Sequence, residues 1–217
     1  MNEQVDVLLI GATGMVGSET LRQLLDNPAV RTVRIIVRRE THINHEKLRE
    51  LVTPFENLQA YHAFIQCDVL IHCLGSTMKK AGGREAFYKI DHDFPLEVAR
   101  VAKANGCRKM ILLSAIGADA GSAFFYNRVK GELENDCKAL GFENLYILQP
   151  SMLTGNRKER RLGERIAIAL SHLSDKLLKG QSMKYHSASD VLLARTINRL
   201  IVQKSGSSVE ILTYSEF

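Results

Sequence analysis

The stretch VDVLLIGATGMVG, residues 5–17, decides the fold of this 217-residue chain. It begins with a short, mostly apolar run that ends in glycine, as buried strands of parallel sheets do. Its second half has the spacing G-x-x-G-x-x-G and opens a segment of helical periodicity. In this context Gly11 permits a tight turn, Gly14 lets the backbone approach a pyrophosphate, and Gly17 lets the helix pack on the sheet. The stretch therefore predicts a dinucleotide-binding loop, with a plain strand–helix turn as the alternative.

Strand-like and helix-like segments alternate along the whole chain. This alternation predicts an α/β fold of the Rossmann type, in which helices cover both faces of a doubly wound parallel sheet. We expect one NAD(P)-binding domain over residues 1–217, in which residues 151–217 form a small region that covers the substrate. The predicted strands are 5–10, 33–37, the later part of 46–52, 69–74, 109–113, 145–148 and 208–213. The predicted helices are 15–25, 56–65, 84–104, 122–140, 159–179 and 189–203, and the helix at 84–104 is expected to adjust before Pro95.

Two positions outside the loop bear on the cofactor. Arg38 and Arg39 follow the second predicted strand, where NAD enzymes of this type often carry an acidic residue. A carboxylate would repel a 2′-phosphate, whereas a guanidinium binds it through paired hydrogen bonds, so the pair predicts NADP(H). The alternative is a pair of solvated surface arginines, and the neighbouring Glu40 weakens the NADP prediction. After the fourth strand, Gly75 lets the backbone pass close to the ribose and phosphate of the cofactor.

Three polar residues predict carbonyl chemistry. Ser114 ends the strand at 109–113, and Tyr126 and Lys130 lie four residues apart on the next helix, so they share a face. A lysine beside a tyrosine favours the phenolate, and the tyrosine can then exchange a proton with a substrate oxygen. Ser114 can hold the same oxygen, while the cofactor carries the hydride. The alternative is a half-buried helix tyrosine beside a lysine whose charge reaches solvent.

Composition and charge restrict the other function classes. The net charge of +5 is spread along the chain, so we expect no nucleic-acid partner. The four cysteines sit among apolar residues and are predicted to be reduced core thiols, and no histidine pattern predicts a metal site. The start is acidic and no apolar run reaches about 18 residues, so we expect a cytoplasmic protein without a membrane span, as a monomer or homodimer.

The same residues resemble a known family. The loop GATGMVG, Ser114 and the segment YNRVK are similar to the short-chain dehydrogenase/reductase superfamily, in particular to its atypical branch. The segments CLGSTMKKAG, LLSAIGAD, FFYNRVKGELE and LQPSML resemble the Tat-interacting-protein-like NAD(P)H-binding oxidoreductases. The resemblance runs from about residue 5 to past residue 155, and residues 112–134 are its most specific part.

The resemblance implies an NADPH-binding Rossmann domain and a loop beside the nicotinamide at residues 150–153. Well-known members of the superfamily also carry an asparagine on the helix after the fourth strand, where this chain reads Asp91, His92 and Asp93. The cofactor contacts that the resemblance implies are Gly11, Thr13, Gly14, Met15, Arg38, Leu74, Gly75, Tyr126, Lys130, Pro150, Met152 and Leu153.

Together, the residues and the resemblance predict an NADPH-dependent reductase of a small carbonyl substrate, with Tyr126 as general acid and base. The second hypothesis is an NADP(H)-binding regulator or scaffold with little or no turnover, since the branch contains such members. A nucleotide-sugar epimerase or dehydratase is a third interpretation, but it needs a larger C-terminal lobe than the 60 or so residues after Gly155. A semialdehyde dehydrogenase would need a cysteine nucleophile on a loop, which none of the four cysteines supplies convincingly.

Overall fold

A computed structural model describes residues 4–55, 58–151, 153–154, 188–203, 206 and 208–217. Their strands are β1 (Val5–Ile10), β2 (Val30–Val37), β3 (Leu48–Val52), β4 (Val69–His72), β5 (Lys109–Leu113), β6 (Asn144–Leu148), β7 (Leu153–Thr154), β8 (Ala188–Ser189) and β9 (Val209–Leu212). Seven of them form one sheet in the order β3-β2-β1-β4-β5-β6-β9, in which every neighbouring pair is parallel. β7 and β8 form a separate parallel pair.

Helices cover both faces of this sheet. They are α1 (Met15–Asp26), α2 (Met78–Ala81), α3 (Arg84–Tyr88), α4 (Phe94–Ala104), α5 (Phe125–Ala139) and α6 (Asp190–Val202). The apolar side chains of α1 and α6 pack on one face, together with Val7 and Leu9 of β1. Those of α4 and α5 pack on the other face, together with Leu8 and Ile10. The nearly continuous apolar sequence of β1 agrees with its burial on both sides. The parallel sheet with helices on both faces confirms the predicted Rossmann-type doubly wound fold.

The segment predicted as one helix at 84–104 is divided into three parts. α3 passes into one wide π-helical turn at Lys89–Asp93, and α4 continues from there. The amide of Phe94 donates to the carbonyl of Lys89, five residues back. Pro95 has no amide hydrogen, so the carbonyl of Asp91 cannot receive the usual bond from four residues ahead. The adjustment expected before Pro95 is therefore present, and it brings Asp91 and His92 into the interior.

Two other predicted helices differ from the structure. The helix predicted at 56–65 is only a short 3₁₀ turn at Leu58–Tyr61, and the side chain of Asn105 donates to the backbone carbonyls of His62 and Ile65 just after it. The helix predicted from residue 122 begins at Phe125, because the amide of Phe124 donates to the hydroxyl of Ser122 in a preceding turn. Side-chain bonds to the backbone thus replace helical bonds at both places.

The C-terminal part of the chain contributes directly to the sheet. α6 packs on the same face as α1, and β9 adds the last strand beside β6. These elements agree with the helix predicted at 189–203 and the strand predicted at 208–213. The helix predicted at 159–179 lies outside the described residues. The substrate-covering role of residues 151–217 remains a prediction.

Candidate dinucleotide-binding and catalytic site

The glycine loop is packed so closely that side chains would not fit in it. Gly11 has φ +83°, and a Cβ atom there would lie 2.4 Å from the backbone of Cys73 and Leu74. A Cβ at Gly17 would lie 2.0 Å from the carbonyl oxygen of Gly11. The first glycine therefore lets the loop contact the chain that leaves β4, and the last one lets α1 contact the loop. The contact at Gly11 places the loop beside Cys73 and Leu74.

The first turn of α1 faces outward from this loop. Gly14 caps α1 and offers no side-chain acceptor to its amides, and the first turn contains no acidic residue. Thr13 and Gly14 are exposed, and Met15 is half-buried. The first amides of any helix have no acceptor within the helix, and they carry a partial positive charge. This arrangement fits the phosphates of a dinucleotide, because an anion there meets free donors and no opposing carboxylate.

The two predicted phosphate-binding arginines lie one strand away. Arg38 and Arg39 follow β2, which pairs with β1 in the sheet, and both are exposed. The guanidinium carbon of Arg38 lies 6.0 Å from the ring centroid of Phe55, whose ring stacks on Phe94 at 4.2 Å. This aromatic support holds the Arg38 side chain near the carboxyl ends of β1 and β2. Ligands of doubly wound sheets bind at that edge.

A buried ion pair lies beside Gly75. The Nζ atom of Lys130 is 2.9 Å from Oδ1 of Asp91, and Oδ2 of Asp91 accepts a 2.9 Å hydrogen bond from the amide of Ser76. Asp91 has no exposed surface and Lys130 is only 4% exposed. Burial raises the pKa of the Asp91 carboxyl above its ordinary value, although the Lys130 ammonium and the Ser76 amide oppose this shift. Asp91 therefore stands next to the predicted catalytic lysine, in the region where the resemblance led us to look for an asparagine.

Ser114 has a partner that the sequence did not predict. Its hydroxyl donates to Oε1 of Glu134 over 2.5 Å, and Nε2 of Gln149 donates to both oxygens of the same carboxylate at 2.9 and 3.1 Å. Ser114 and Glu134 are both buried. Because the hydrogen of Ser114 is directed at Glu134, its oxygen is available mainly as an acceptor. The only signal for Glu134 was its spacing of four residues from Lys130, which places it on the same face of α5.

Tyr126 lies at the open end of this group. It is the second residue of α5, one turn before Lys130, and it is 41% exposed. Its ring lies 5.9 Å from that of Phe87 on α3. Among the described residues, no hydrogen bond joins Tyr126 to Ser114. The structure thus places Tyr126 and Lys130 on one helix as predicted, while it connects Ser114 to Glu134 and Lys130 to Asp91.

A buried histidine near Lys130 was also missed by the sequence analysis. His72 ends β4 and has no exposed surface, and within the described part of the chain neither ring nitrogen has a hydrogen-bond partner. Burial, together with the positive charge of Lys130, lowers the pKa of His72 to about 3. The side chain is therefore neutral at physiological pH. Its position in an apolar strand gave no sign that its pKa would be lowered.

The predicted nicotinamide loop is described only in part. Pro150 is buried and its carbonyl accepts a 2.9 Å hydrogen bond from the amide of Ile116. Leu153 begins β7. Met152 lies outside the described residues.

In the portion that is described, no helix is long and apolar enough to cross a membrane.

Relatives of known sequence share most of the chain. The protein named "Protein fmp52, mitochondrial" from Aspergillus fumigatus is 36% identical over 200 residues, which cover 89% of this chain and 86% of the relative. The protein HTATIP2 from Rattus norvegicus is 38% identical over 165 residues, covering 74% and 68% of the two chains. The resemblance to atypical short-chain dehydrogenases is thereby confirmed.

The predicted cytoplasmic location is contradicted by these relatives. Fmp52 proteins from Aspergillus fumigatus, Eremothecium gossypii and Candida albicans are named mitochondrial, at 36%, 34% and 33% identity. The prediction was wrong because an acidic start argues against a secretory signal and does not address mitochondrial location.

Solved structures support the fold. The Bordetella bronchiseptica enzyme WbmH, in complex with NAD+, superposes with a TM-score of 0.73 at 15% identity, covering 99% of this chain and 77% of WbmH. A short-chain dehydrogenase family protein from Francisella tularensis has a TM-score of 0.66 at 12% identity, with 96% and 97% of the two chains covered. The family profile "NAD dependent epimerase/dehydratase family" matches residues 7–139. The chain belongs to the NAD dependent epimerase/dehydratase family.

Proposed function

We propose that this protein binds NADP(H) and transfers a hydride between the cofactor and a small carbonyl or hydroxyl compound. The observation that carries the proposal is the path of the chain after β4, which packs on the loop at Cys73 and Leu74 and reaches the ion pair at Gly75. The backbone just before Gly75 touches Gly11, and a Cβ at Gly75 would lie 3.5 Å from Asp91 and 3.9 Å from Lys130. This packing supports one continuous site that joins the predicted phosphate-binding loop to the predicted catalytic lysine.

The choice of NADP over NAD rests on Arg38 and Arg39. Both side chains are exposed at the carboxyl end of β2, and neither has a carboxylate partner among the described residues. A 2′-phosphate would meet two guanidinium groups there, which suit it in charge and geometry. Glu40 is also exposed. Its Oε2 atom lies 3.7 Å from Nδ1 of His42, so its carboxylate contacts this histidine and not the two arginines.

In the proposed reaction the protein orients the substrate and moves one proton. When bound, the nicotinamide supplies or accepts the hydride. Tyr126 exchanges the proton of its hydroxyl with the substrate oxygen, as its exposed position allows. Lys130 is held beside Gly75 by Asp91, where its ammonium would bind the ribose hydroxyls of the cofactor. Ser114, whose hydrogen is donated to Glu134, accepts a hydrogen bond from the hydroxyl form of the substrate or from Tyr126.

A second function is favoured by one specific observation. In related reductases the serine is expected to help hold the carbonyl oxygen, yet Ser114 already donates its hydrogen to Glu134. A carbonyl oxygen can only accept, so it gains nothing from Ser114 while this bond persists. An NADP(H)-binding regulator with little turnover is the function that fits such a site.

The first experiment is a calorimetric titration with NADPH and NADH. We expect NADPH to bind at least about tenfold more tightly than NADH, and Arg38→Ala and Arg39→Ala to remove this preference. Arg108→Ala is the matched control, because Arg108 is an exposed arginine at the amino ends of the strands. Equal affinity for the two cofactors would reject NADP, and absence of binding for both would reject the whole proposal.

Turnover separates the two functions. With NADPH bound, a panel of small aldehydes and ketones is screened through NADPH absorbance, using wild type and Tyr126→Phe. The reductase predicts activity that falls by about 10²–10⁴ in Tyr126→Phe, while the variant still binds NADPH and loses far less affinity than activity. Tight NADPH binding without consumption of any carbonyl in the panel would favour the regulator.

A further inference from the structure

Two buried cysteines lie side by side at the edge of the sheet opposite the glycine loop. Cys67 precedes β4 by two residues and Cys107 precedes β5 by two residues. The register of these strands pairs Val69 with Lys109, so the two cysteines stand at the same level of the sheet. Both pack in the apolar cluster on the α4 and α5 face, which means that their side chains point to the same side.

The two thiols also influence each other. Their interaction raises the pKa of Cys67 and lowers the pKa of Cys107. The sulfur of Cys107 lies 3.3 Å from the carbonyl oxygen of Lys109 and 3.6 Å from that of Asp68. In contrast, burial raises the pKa of both Cys73 and Cys137 to about 12. Cys107 is therefore the cysteine of this chain most inclined to ionise.

We propose that Cys67 and Cys107 are a redox-active dithiol, which hydrogen peroxide oxidises to an intrachain disulfide. Neighbouring strands are about 4.8 Å apart, and a disulfide needs Cα atoms about 4.4–6.8 Å apart, so little backbone movement is required. Both thiols are free in the structure. The proposal is independent of the cofactor and of the reaction at the other edge of the sheet.

The oxidation takes two steps. The thiolate of Cys107 attacks one oxygen of the peroxide, the O–O bond breaks, and the leaving hydroxide takes a proton to form water. The resulting sulfenic acid of Cys107 is then attacked by Cys67, the S–S bond forms, and a second water leaves. Two protein thiols lose two electrons and two protons, and one peroxide becomes two water molecules. Cys67 is 9% exposed and Cys107 is fully buried, so the reaction proceeds through local opening of the strand ends.

The test is peptide mapping of the native protein. Wild-type protein is treated with hydrogen peroxide, remaining thiols are blocked with iodoacetamide, and the digest is analysed without reduction. We expect a cross-linked pair of peptides containing Cys67 and Cys107, which dithiothreitol separates. The oxidised protein should also melt roughly 5 °C or more above the reduced protein, because the bond closes a loop of about 40 residues in the unfolded chain.

Variants of single cysteines identify which two sulfur atoms form the bond. Cys67→Ala should leave Cys107 as a sulfenic acid that dimedone traps, whereas Cys73→Ala and Cys137→Ala should still form the Cys67–Cys107 bond. Cross-links between protein molecules, equal oxidation of all four cysteines, or recovery of both target thiols in alkylated form after peroxide would each overturn the proposal. NADPH titration of the oxidised protein is run in parallel, and its result bears only on the proposed function.

Discussion

Around Gly75 the protein leaves space for one methyl group. A Cβ there would lie 3.5 Å from Oδ1 of Asp91 and 3.9 Å from Nζ of Lys130, which are ordinary contact distances. Gly75 also has no positive φ angle that would exclude other residues. The backbone therefore does not require glycine here, and the proposed site uses the open space beside Lys130.

Gly75→Ala should separate cofactor binding from stability. We expect the free energy of unfolding to change by no more than about 0.5 kcal/mol, because the methyl group meets no clash. NADPH affinity should fall about tenfold or more, because the methyl group occupies space that the proposed site gives to the cofactor. Calorimetric titration and urea unfolding measure the two effects. Gly121→Ala is the control, with a Cβ that would meet only Asp119 at 3.4 Å. Unchanged NADPH affinity in Gly75→Ala would remove Gly75 from the site.

Spacing predicted some residues of the site but not their partners. Tyr126 and Lys130 follow from the rule that residues four apart share a helix face. The acceptor of the Ser114 hydrogen could not be predicted, because Glu134 reaches Ser114 from a helix and is itself bound by Gln149 from the end of β6. Such contacts depend on how elements pack, and sequence spacing carries no information about that.

At the scale of elements, the π-helical turn before α4 positions the ion pair. The sequence indicated a disturbance before Pro95, since proline removes one backbone donor. It could not indicate that the wider turn would bury Asp91 against Lys130, because a π turn and a simple kink begin with the same missing bond. π-helical turns are frequently found at functional sites, which agrees with the position of Asp91 beside Gly75.

Lys109 connects β5 to the end of α6. Its Nζ atom donates to the carbonyl oxygens of Leu200, Ile201 and Gln203, at 3.0, 2.6 and 2.7 Å. These carbonyls lie at the end of the helix, where acceptors lack partners and the helix dipole is negative. Half-burial of the amine lowers the pKa of Lys109, so the three acceptors compensate for lost contact with water.

Lys109→Met should therefore weaken the attachment of α6. The methionine keeps much of the apolar chain but removes the lysine donor from three carbonyls, of which that of Gln203 also accepts from the Tyr146 hydroxyl. We expect a loss of about 1–3 kcal/mol in the free energy of unfolding. Lys103→Met is the comparison, because Lys103 donates to a single carbonyl, that of Gly141, in an exposed bond. It should lose less than about 1 kcal/mol in the same urea titration. Equal losses for the two variants would mean that the three bonds from Lys109 stabilise the protein no more than the single exposed bond from Lys103 does.

For the whole molecule, the alternation of strands and helices was enough to predict the sheet and its two covered faces. It was not enough to predict that residues 188–217 would help build the main body. α6 packs beside α1, and β9 extends the sheet next to β6, far along the chain from the strands with which they share a core. Contacts between segments so distant in sequence are set by the packing of the whole molecule, which no local pattern contains.

His72 makes the stability of the whole molecule depend on pH. In the folded protein its pKa is about 3, against an ordinary value of 6.5, because the ring is buried near Lys130. Between these two values the unfolded chain binds a proton that the folded protein does not bind. The contribution of His72 to the free energy of unfolding is therefore fully present above about pH 6.5. It falls as the pH is lowered, by up to about 1.4 kcal/mol per pH unit.

The contribution of His72 can be isolated by comparing slopes in urea titrations from pH 7 to pH 5. In wild type, His72 and carboxyls with a lowered pKa, such as Asp6 and Glu19, contribute to the loss of stability on acidification, and Asp91, with its raised pKa, opposes it. In His72→Leu only the carboxyls and other groups remain. The variant should therefore lose about 1 kcal/mol less than wild type per pH unit below pH 6. His62→Gln is the control, because His62 is exposed, and it should keep the wild-type slope. If His72→Leu has the same slope as wild type, then His72 is protonated in the folded protein, and a buried acceptor or water must stabilise its charge despite Lys130.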